Sequence, residues 1–385
     1  MTGIVKERLY TPGPTPLLME AQTRTLVATL HHRTENFRKL LRETLDHLRY
    51  YFNTRNDVLI FTSSGTGAME GAFSNLLSPG DRVLIGMAGK FGERWVALAR
   101  AYGIEAETVE APYGQTVPIE EMGKRLASEG PFRAVFIQAT ESSTGVRHDV
   151  EALGALVRQH PETCLVVDAI TGLGTTDLRQ DEWGLDVVIG GSQKATMIPP
   201  GLAFASVSDK AWKLVEKSRL PRYYFDFAKE RKSLARDESS YTPATTLIVA
   251  LHTALNYIRE LGRESLIANA ALLAEAAREA AKALGLKLFA ASNPANAVTA
   301  VRAPEGMDSG LIVKELRSRF GAIVANGQGS MKGAIFRLAH LGYYDFLDLV
   351  SVMAALEIAL VKLGRTVELG SGVRVAQEAY LRASK

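Results

Sequence analysis

Short apolar runs alternate with amphipathic stretches through the first two thirds of the chain. Runs of this kind, rich in β-branched residues and bounded by turn residues, predict buried strands, and the stretches between them predict helices. Repeated strand-helix-strand units predict an α/β fold with a mostly parallel sheet, linked by right-handed crossovers. The seven predicted strands are 58–62, 82–87, 105–109, 134–138, 164–168, 187–191 and 202–207.

The pattern changes in the last third of the chain, where shorter apolar runs lie among helices. This predicts a smaller α+β domain with strands at 286–289, 297–301, 322–325 and 334–338. At the other end, three prolines and a glycine within Thr11–Pro16 favour an extended arm. We therefore expect an arm at 1–20, a large α/β domain at 21–262 and a small domain at 263–385.

Polar residues follow four of the predicted strands. Ser64–Ala68 combine hydroxyls and glycines at a helix start, where free N–H groups and the helix dipole bind phosphate. Asp168 ends one buried strand, Gln193 and Lys194 follow the next, and 142–145 follow a fourth. Ligands bind at the carboxyl ends of strands in such sheets, so these groups are expected to share a pocket. An amine that forms a Schiff base and a carboxylate that pairs with a ring nitrogen are what pyridoxal phosphate requires.

A dinucleotide site is the competing interpretation of these glycines. Gly65, Gly67 and Gly71 resemble the dinucleotide fingerprint with one extra residue. A nicotinamide cofactor also needs an acidic residue at the end of the second strand, but that strand is followed by Ala88-Gly89-Lys90. This alternative is therefore disfavoured.

Composition excludes several other classes of protein. The 385 residues are 46% hydrophobic and 23% charged, as in ordinary globular proteins, and the net charge of +3 is dispersed, so no nucleic-acid partner is expected. No apolar run reaches the roughly 18 residues of a membrane span and no signal peptide is evident, so we expect a cytoplasmic protein without membrane contact. Cys164 lies in a strand run and is expected to be a small buried hydrophobe. His31 and His32 are adjacent without other ligands at suitable spacing, so no metal is expected.

Five motifs in order resemble the class V, fold type I pyridoxal-phosphate aminotransferases, most of all the serine/alanine–glyoxylate branch. They are Thr-Pro-Gly-Pro-Thr at 11–15, Ser-Gly-Thr-Gly-Ala at 64–68, Glu-Ser-Ser-Thr-Gly at 141–145, Val-Asp-Ala-Ile-Thr-Gly-Leu-Gly at 167–174 and Gly-Ser-Gln-Lys-Ala at 191–195. The resemblance implies pyridoxal 5′-phosphate as cofactor and a homodimer with shared active sites.

The resemblance also implies a role for individual residues. Lys194 matches the Schiff-base lysine and proton shuttle, and Asp168 matches the partner of the pyridine nitrogen. The implied cofactor-binding residues are Ser64, Gly65, Thr66, Gly67, Ala68, Phe91, Ser143, Asp168, Gln193, Lys194 and Thr242. The implied substrate-binding residues are Arg337, Gly13 and Ser143.

Some of these roles have structural alternatives. Phe91 matches the ring that stacks on the cofactor, but a core aromatic is a serious competitor. Thr242 matches a threonine that reaches the phosphate of the neighbouring subunit. Arg337, on an apolar strand, matches the carboxylate-binding arginine, with a structural ion pair as the alternative. The aromatic run 222–227 and the charged, mobile-looking residues 229–232 are expected to line the site or a dimer contact, or to form an ordinary loop.

The expected function is transfer of an amino group from alanine or serine to glyoxylate or pyruvate by a ping-pong mechanism. A cysteine desulfurase or another β-eliminating lyase is an alternative with the same cofactor, although the single cysteine is predicted in a strand. A non-catalytic accessory subunit on the same fold is the other alternative. The set of Lys194, Asp168 and Arg337 argues against it.

Overall fold

Seven strands form one sheet at the centre of the chain. The computed structural model describes residues 4–26, 30–290 and 292–383. All neighbouring strands are parallel except Leu202–Val207, which is antiparallel to both of its neighbours. The mostly parallel sheet expected from the apolar runs is therefore confirmed, with one reversed strand. In spatial order the strands are Asp57–Thr62, Leu202–Val207, Val187–Gly191, Cys164–Asp168, Ala134–Gln138, Arg82–Met87 and Glu105–Glu110.

Both faces of this sheet are buried. In the strand Cys164–Asp168, Leu165 and Val167 enter the apolar cluster on one face, and Cys164 and Val166 enter the cluster on the other. Alternate side chains of a strand point to opposite faces, and a continuous apolar run is typical of a strand covered by helices on both sides. Cys164 is fully buried, as expected.

Helices cover the sheet and build most of the C-terminal part. Local signals set several of their ends: Thr34 Oγ1 accepts a hydrogen bond from Phe37 N at 3.4 Å, and Asn53 ends the same helix in the left-handed conformation. The helices are Met19–Arg24, Glu35–Phe52, Gly65–Leu76, Lys90–Tyr102, Ile119–Glu129, Val150–Val157, Gln180–Trp183, Asp209–Lys217, Phe227–Leu234, Thr245–Leu261, Arg263–Ala283, Ser309–Phe320, Phe346–Lys362 and Ser371–Ala383, with a short 3-10 turn at Gly329–Met331.

Three small sheets accompany the large one, and here two predictions were wrong. The segment 286–289 is not a strand, because only Leu288 forms an isolated bridge, with Val301. The segment 322–325 is two short strands in different sheets. The small sheets are Val298–Arg302 with Ile335–Ala339 and Ala325–Asn326, Arg8–Leu9 with Ala322–Ile323, and Thr140–Glu141 with Val146–Arg147.

The charged residues 229–232 are ordered, contrary to expectation. They lie in the helix Phe227–Leu234, where Asp226 Oδ1 accepts a hydrogen bond from Lys229 N at 3.0 Å. The carboxylate of Glu230 is buried and accepts from Ser240 N at 3.0 Å. A capped helix with a buried acidic anchor explains why this polar stretch is not a mobile loop.

The N-terminal arm links the C-terminal part of the chain to the loop after strand Val187–Gly191. Ala339 N donates to Tyr10 O at 3.0 Å, and Tyr343 N donates to Pro16 O at 3.1 Å. On the other side Leu18 N donates to Met197 O at 2.9 Å. The predicted limits of the three domains stay predictions. Within the described ranges, no helix has the length and apolar character needed to cross a membrane.

Candidate active site

A cavity of about 190 Å³ lies at the carboxyl ends of the central strands. This is where an open parallel sheet binds its ligand. Larger clefts, of about 610, 490 and 320 Å³, contain none of the predicted site residues. The residues around the 190 Å³ cavity are Gly13, Ser64, Gly65, Thr66, Phe91, Arg94, Thr140, Ser142, Asp168, Ile170, Thr171, Gln193 and Lys194.

Lys194 lies in a short loop that two serine hydrogen bonds close. Ser192 Oγ donates to Pro199 O at 2.8 Å and accepts from Leu202 N at 3.1 Å, so the chain reverses directly into the antiparallel strand. The arm holds the lysine from the other side: Thr15 Oγ1 donates to Lys194 O at 2.9 Å, and Lys194 Nζ donates to Pro12 O. The loop and the arm together fix the amine at the cavity.

Gly13 is required where the arm passes the lysine. Its φ is +128°, in the region that favours glycine, and a Cβ there would lie 2.8 Å from both Cε and Nζ of Lys194. The close approach of backbone to amine therefore depends on the missing side chain. Gly13 thus lies at the cavity, and the substrate-binding role that the resemblance implies for it stays a prediction.

Asp168 faces the same cavity from the neighbouring strand. One carboxylate oxygen accepts a hydrogen bond from Ile170 N at 2.9 Å. Burial raises the pKa of Asp168 to about 6, against opposing effects of that hydrogen bond and of the positive charges of Arg94 and Lys194. No cation of the described chain lies within 4.0 Å of this carboxylate. It is a buried acid whose charge is incompletely balanced by the protein.

Burial also changes the charge of the lysine. Burial, together with the positive charges of Arg337 and Arg94, lowers the pKa of Lys194 to about 8, while Asp168 acts in the opposite direction. An amine with this pKa exchanges its proton near neutral pH, which an ordinary surface lysine does not.

The helix Gly65–Leu76, here called the cradle helix, begins at the cavity. Ser64, Gly65 and Thr66 line the cavity, whereas Gly67 and Ala68 do not. A Cβ on Gly65 would lie 2.3 Å from Ile170 Cδ1, so only glycine lets the helix start pack here. The first N–H groups of a helix are free donors for an anion.

Phe91 and Arg94 come from the helix Lys90–Tyr102. Arg94 Nη1 donates to Thr66 Oγ1 at 3.0 Å, and its guanidinium carbon lies 4.8 Å from the centre of the Phe91 ring. Sequence reasoning missed Arg94. The sequence feature that could have revealed it is its position three residues after Phe91, which places both side chains on one helix face.

Glu141 holds the start of that helix and was also missed. It is fully buried, and its carboxylate accepts from Phe91 N at 3.0 Å, Gly92 N at 3.1 Å, and both N and Oγ of Ser143. Ser143 is thus directed towards Glu141 and does not line the cavity, whereas Ser142 does. The role near the cofactor predicted for Ser143 stays a prediction.

Arg337 lies behind Ser142. Nη1 donates to Ser142 O at 2.9 Å, and Nε and Nη2 both donate to Asn326 O, at 3.3 and 2.8 Å. The side chain is 4% exposed and forms no ion pair within 4.0 Å among the residues that the structure describes. Burial lowers the pKa of Arg337 to about 10. Three bonds to two carbonyls leave part of its five N–H donors unused.

Thr242 and the aromatic run 222–227 do not line the cavity. Thr242 is exposed, and neither it nor any residue of 222–232 lines the cavity. Instead Phe225 and Phe227 pack behind the cradle helix, where a Cβ on Gly67 would lie 2.7 Å from Phe225. The expectation that this run lines the mouth of its own site is therefore not met.

Pyridoxal 5′-phosphate fits these residues. Two buried oxygens at the cavity, Thr140 Oγ1 and Gln193 Oε1, have no hydrogen-bond partner in the described protein. An unpaired buried polar atom is costly, and a polar ligand would satisfy it. Lys194 would hold the cofactor, Asp168 would face its ring nitrogen, and the start of the cradle helix would face its phosphate.

Comparison with known proteins supports the same class. The family model "Aminotransferase class-V" matches residues 19–343. Ureidoglycine-glyoxylate aminotransferase from Bacillus subtilis superimposes with a TM-score of 0.93 over 99% of this chain and 100% of that chain, at 26% identity. The chain has the fold type I architecture of pyridoxal-phosphate aminotransferases.

The chain belongs to the class V aminotransferase family, and its cofactor is pyridoxal 5′-phosphate. It is 36% identical to L-aspartate–glyoxylate aminotransferase of Paracoccus denitrificans over 97% of this chain and 96% of the relative. It is also 40% identical to the soluble hydrogenase 42 kDa subunit of Anabaena cylindrica, over 97% and 99%.

Proposed function

We propose that this protein transfers an amino group from a small L-amino acid, alanine or serine, to the 2-oxo acid glyoxylate or pyruvate. The observation that carries this proposal is the buried Lys194 amine, with a pKa of about 8, beside the buried Asp168 carboxylate in one cavity. Two similar proteins have glyoxylate in their names, which favours glyoxylate as the acceptor.

Two residues of the cavity have separate roles: Lys194 moves a proton and Asp168 balances a positive charge. When bound, pyridoxal phosphate supplies an electron sink for the donor carbon that loses its proton. Lys194 would accept that proton on Nζ and give it up at a second carbon, not the one it came from, because its pKa lets the amine be neutral or charged near pH 7 to 8. Asp168 is ionised above pH of about 6 and presents a negative charge that keeps a ring nitrogen protonated.

Arg337 is proposed to bind the carboxylate of the amino acid. A buried guanidinium without a carboxylate partner among the described residues retains donors for a planar anion. Because Arg337 Nη1 also holds Ser142 O, the substrate carboxylate would be bound against the wall of the cavity. This supports binding of an α-amino acid without selecting its side chain.

The cysteine desulfurase alternative lacks its nucleophile. A desulfurase needs a reactive cysteine over the cofactor, but Cys164 is fully buried in the central sheet, and burial raises the pKa of its thiol. The chain contains one cysteine. The accessory-subunit alternative is favoured by one observation, the hydrogenase name of the Anabaena cylindrica protein.

One experiment separates transamination from the accessory role. The purified protein is scanned for visible absorption before and after L-alanine, L-serine and L-aspartate are added singly, with Lys194→Ala as the control. We expect the band of the bound cofactor to shift with one donor and to return on addition of glyoxylate. A wild type that acquires no visible band even after incubation with pyridoxal phosphate would leave only the accessory role.

A homodimer is proposed as the active assembly. Thr242 is exposed and does not line the cavity of its own chain, and it follows Tyr241, which stacks on Tyr224 at 5.1 Å. This supports the proposal that Thr242 contacts the cofactor phosphate of a second copy. Sedimentation equilibrium of the full chain tests this, and a monomer with full activity would contradict it.

A further inference from the structure

Arg94 is a cation at the cavity that the described residues leave without a close carboxylate, although its charge acts on Asp168. It is half-buried, and its hydrogen bond in the described structure goes to a neutral group, Thr66 Oγ1. No carboxylate lies within 4.0 Å of its guanidinium among the described residues. An arginine so placed still has most of its five donors for an anion.

The position of Arg94 makes an anion necessary rather than optional. Arg94 lies one turn from the start of the helix Lys90–Tyr102, near the positive end of the helix dipole, where a cation is disfavoured. It also raises the positive charge felt by Lys194, whose pKa it helps to lower. Both effects cost free energy in the protein alone, and a bound anion next to Arg94 would relieve them.

Thr66, the residue that Arg94 contacts, shows at which end of the cavity an anion would bind. Thr66 is the second residue of the cradle helix, whose start lines the cavity. N–H groups and hydroxyls orient a phosphate, but a phosphate monoester carries a charge of about −1.5 to −2 at pH 7, and they do not neutralise it. Lys194 Nζ donates to Pro12 O, and its assigned role is attachment of the cofactor, so it is not counted as the partner of the phosphate charge.

We propose that Arg94 is the charge partner of the cofactor phosphate, held by Thr66 and by the Phe91 ring. The cation–π contact orients the guanidinium of Arg94 and at the same time holds the ring of Phe91 at the cavity wall. This makes Arg94 a binding residue for a phosphate monoester. The inference rests on the pyridoxal phosphate site and does not require that the protein transaminates.

A second carboxylate on the amino donor is the competing ligand for Arg94. An aspartate-type donor has such a group, and a free guanidinium would bind it in the same bidentate manner. The geometry favours the phosphate, since Arg94 Nη1 is directed to Thr66 at the start of the cradle helix. The two ligands are distinguished by experiment.

The test compares pyridoxal 5′-phosphate with pyridoxal, which lacks the phosphate. Full-length protein freed of cofactor is titrated with each compound, and binding is followed by quenching of tryptophan fluorescence. The variants are Arg94→Gln, Arg94→Lys and, as the control, Arg100→Gln, an exposed arginine of the same helix. Circular dichroism verifies that each variant is folded. If Arg94→Gln does not fold, Arg94→Lys still allows the test.

We expect Arg94→Gln to weaken binding of pyridoxal phosphate by about 10- to 100-fold, the range for loss of a charge-assisted hydrogen bond. Pyridoxal binding should be unchanged, Arg94→Lys should lose less because it keeps the charge, and Arg100→Gln should match the wild type. Equal weakening of both ligands, or of neither, would overturn the inference. So would an unchanged phosphate preference together with a raised KM for L-aspartate alone. Because no donor is present in the titrations, a protein that shows the predicted preference but does not transaminate would refute only the proposed function.

Discussion

Replacing Lys194 by methionine is expected to stabilise the cofactor-free protein. The buried amine has a pKa of about 8, compared with 10.5 for an unperturbed lysine, and the difference corresponds to about 3 kcal/mol that the charged form costs in the folded state. Methionine has a similar length without a charge. Lys194→Met should therefore raise the free energy of unfolding at pH 7 while abolishing cofactor attachment, since the site is kept for function at the expense of stability.

The pH dependence isolates the lysine from the other effects of the substitution. The pKa in the folded state is lowered, so between pH of about 8 and 10.5 the unfolded chain binds more protons than the folded one, and stability rises with pH. Below pH 8 the cost is fully present; above 10.5 it is absent. Asp168, with a pKa of about 6, is ionised throughout this range and contributes a constant offset.

The assay is urea unfolding of cofactor-free wild type and Lys194→Met at pH 7 and pH 9.5, followed by tryptophan fluorescence. The advantage of the variant should shrink by about 2 kcal/mol between the two pH values. Lys213→Met is the matched control, because Lys213 is exposed on the helix Asp209–Lys217 and should show no such change. A difference between wild type and Lys194→Met that is the same at both pH values would refute a lowered lysine pKa.

Two further substitutions test the walls of the cavity. Gly13→Ala adds a Cβ 2.8 Å from Lys194 Nζ at φ +128°, and should lower both thermal stability and cofactor affinity. The control is Gly80→Ala, at φ +88° with open space around it, which should cost only backbone strain of about 1–3 kcal/mol. Equal effects of the two substitutions would argue against the lysine contact. Glu141→Gln replaces one of two oxygens that accept four hydrogen bonds with an NH₂ group, and should destabilise the fold by about 3 kcal/mol in calorimetry. A neutral result would mean that Glu141 is protonated and replaceable.

The central strands of the large sheet were predictable because they are buried on both faces. A run such as Val187–Gly191 is then continuous and apolar. The polar residue Lys194, which follows this run, therefore lies beyond the carboxyl end of the strand. The two-residue strands near 322–326 carry too few positions for any period to show, and Ala322–Ile323 pairs with the distant N-terminal arm while Ala325–Asn326 pairs with the nearby strand Ile335–Ala339.

The residues that sequence reasoning missed owe their place to tertiary contacts. Arg94 lies in an amphipathic helix where a charged residue normally faces solvent, and only the approach of Thr66 from another helix brings it to the cavity. Ser142 and Ser143 are adjacent, so motif matching cannot tell which one faces the ligand. In the structure Ser143 donates to Glu141 and Ser142 lines the cavity, a difference that depends on the fold and not on the motif.

The N-terminal arm has a consequence for how the protein is made. Residues 8–18 are synthesised first, yet their partners are Lys194 and Met197 in the middle of the chain and residues 321–343 near its end. At about 5–20 residues per second, the arm waits roughly 20 to 70 s for those partners to leave the ribosome. During that interval the lysine loop can already fold, because its hydrogen bonds are local, but it lacks the arm that covers it. The cofactor site is therefore completed by the oldest part of the chain, and only when synthesis is nearly finished.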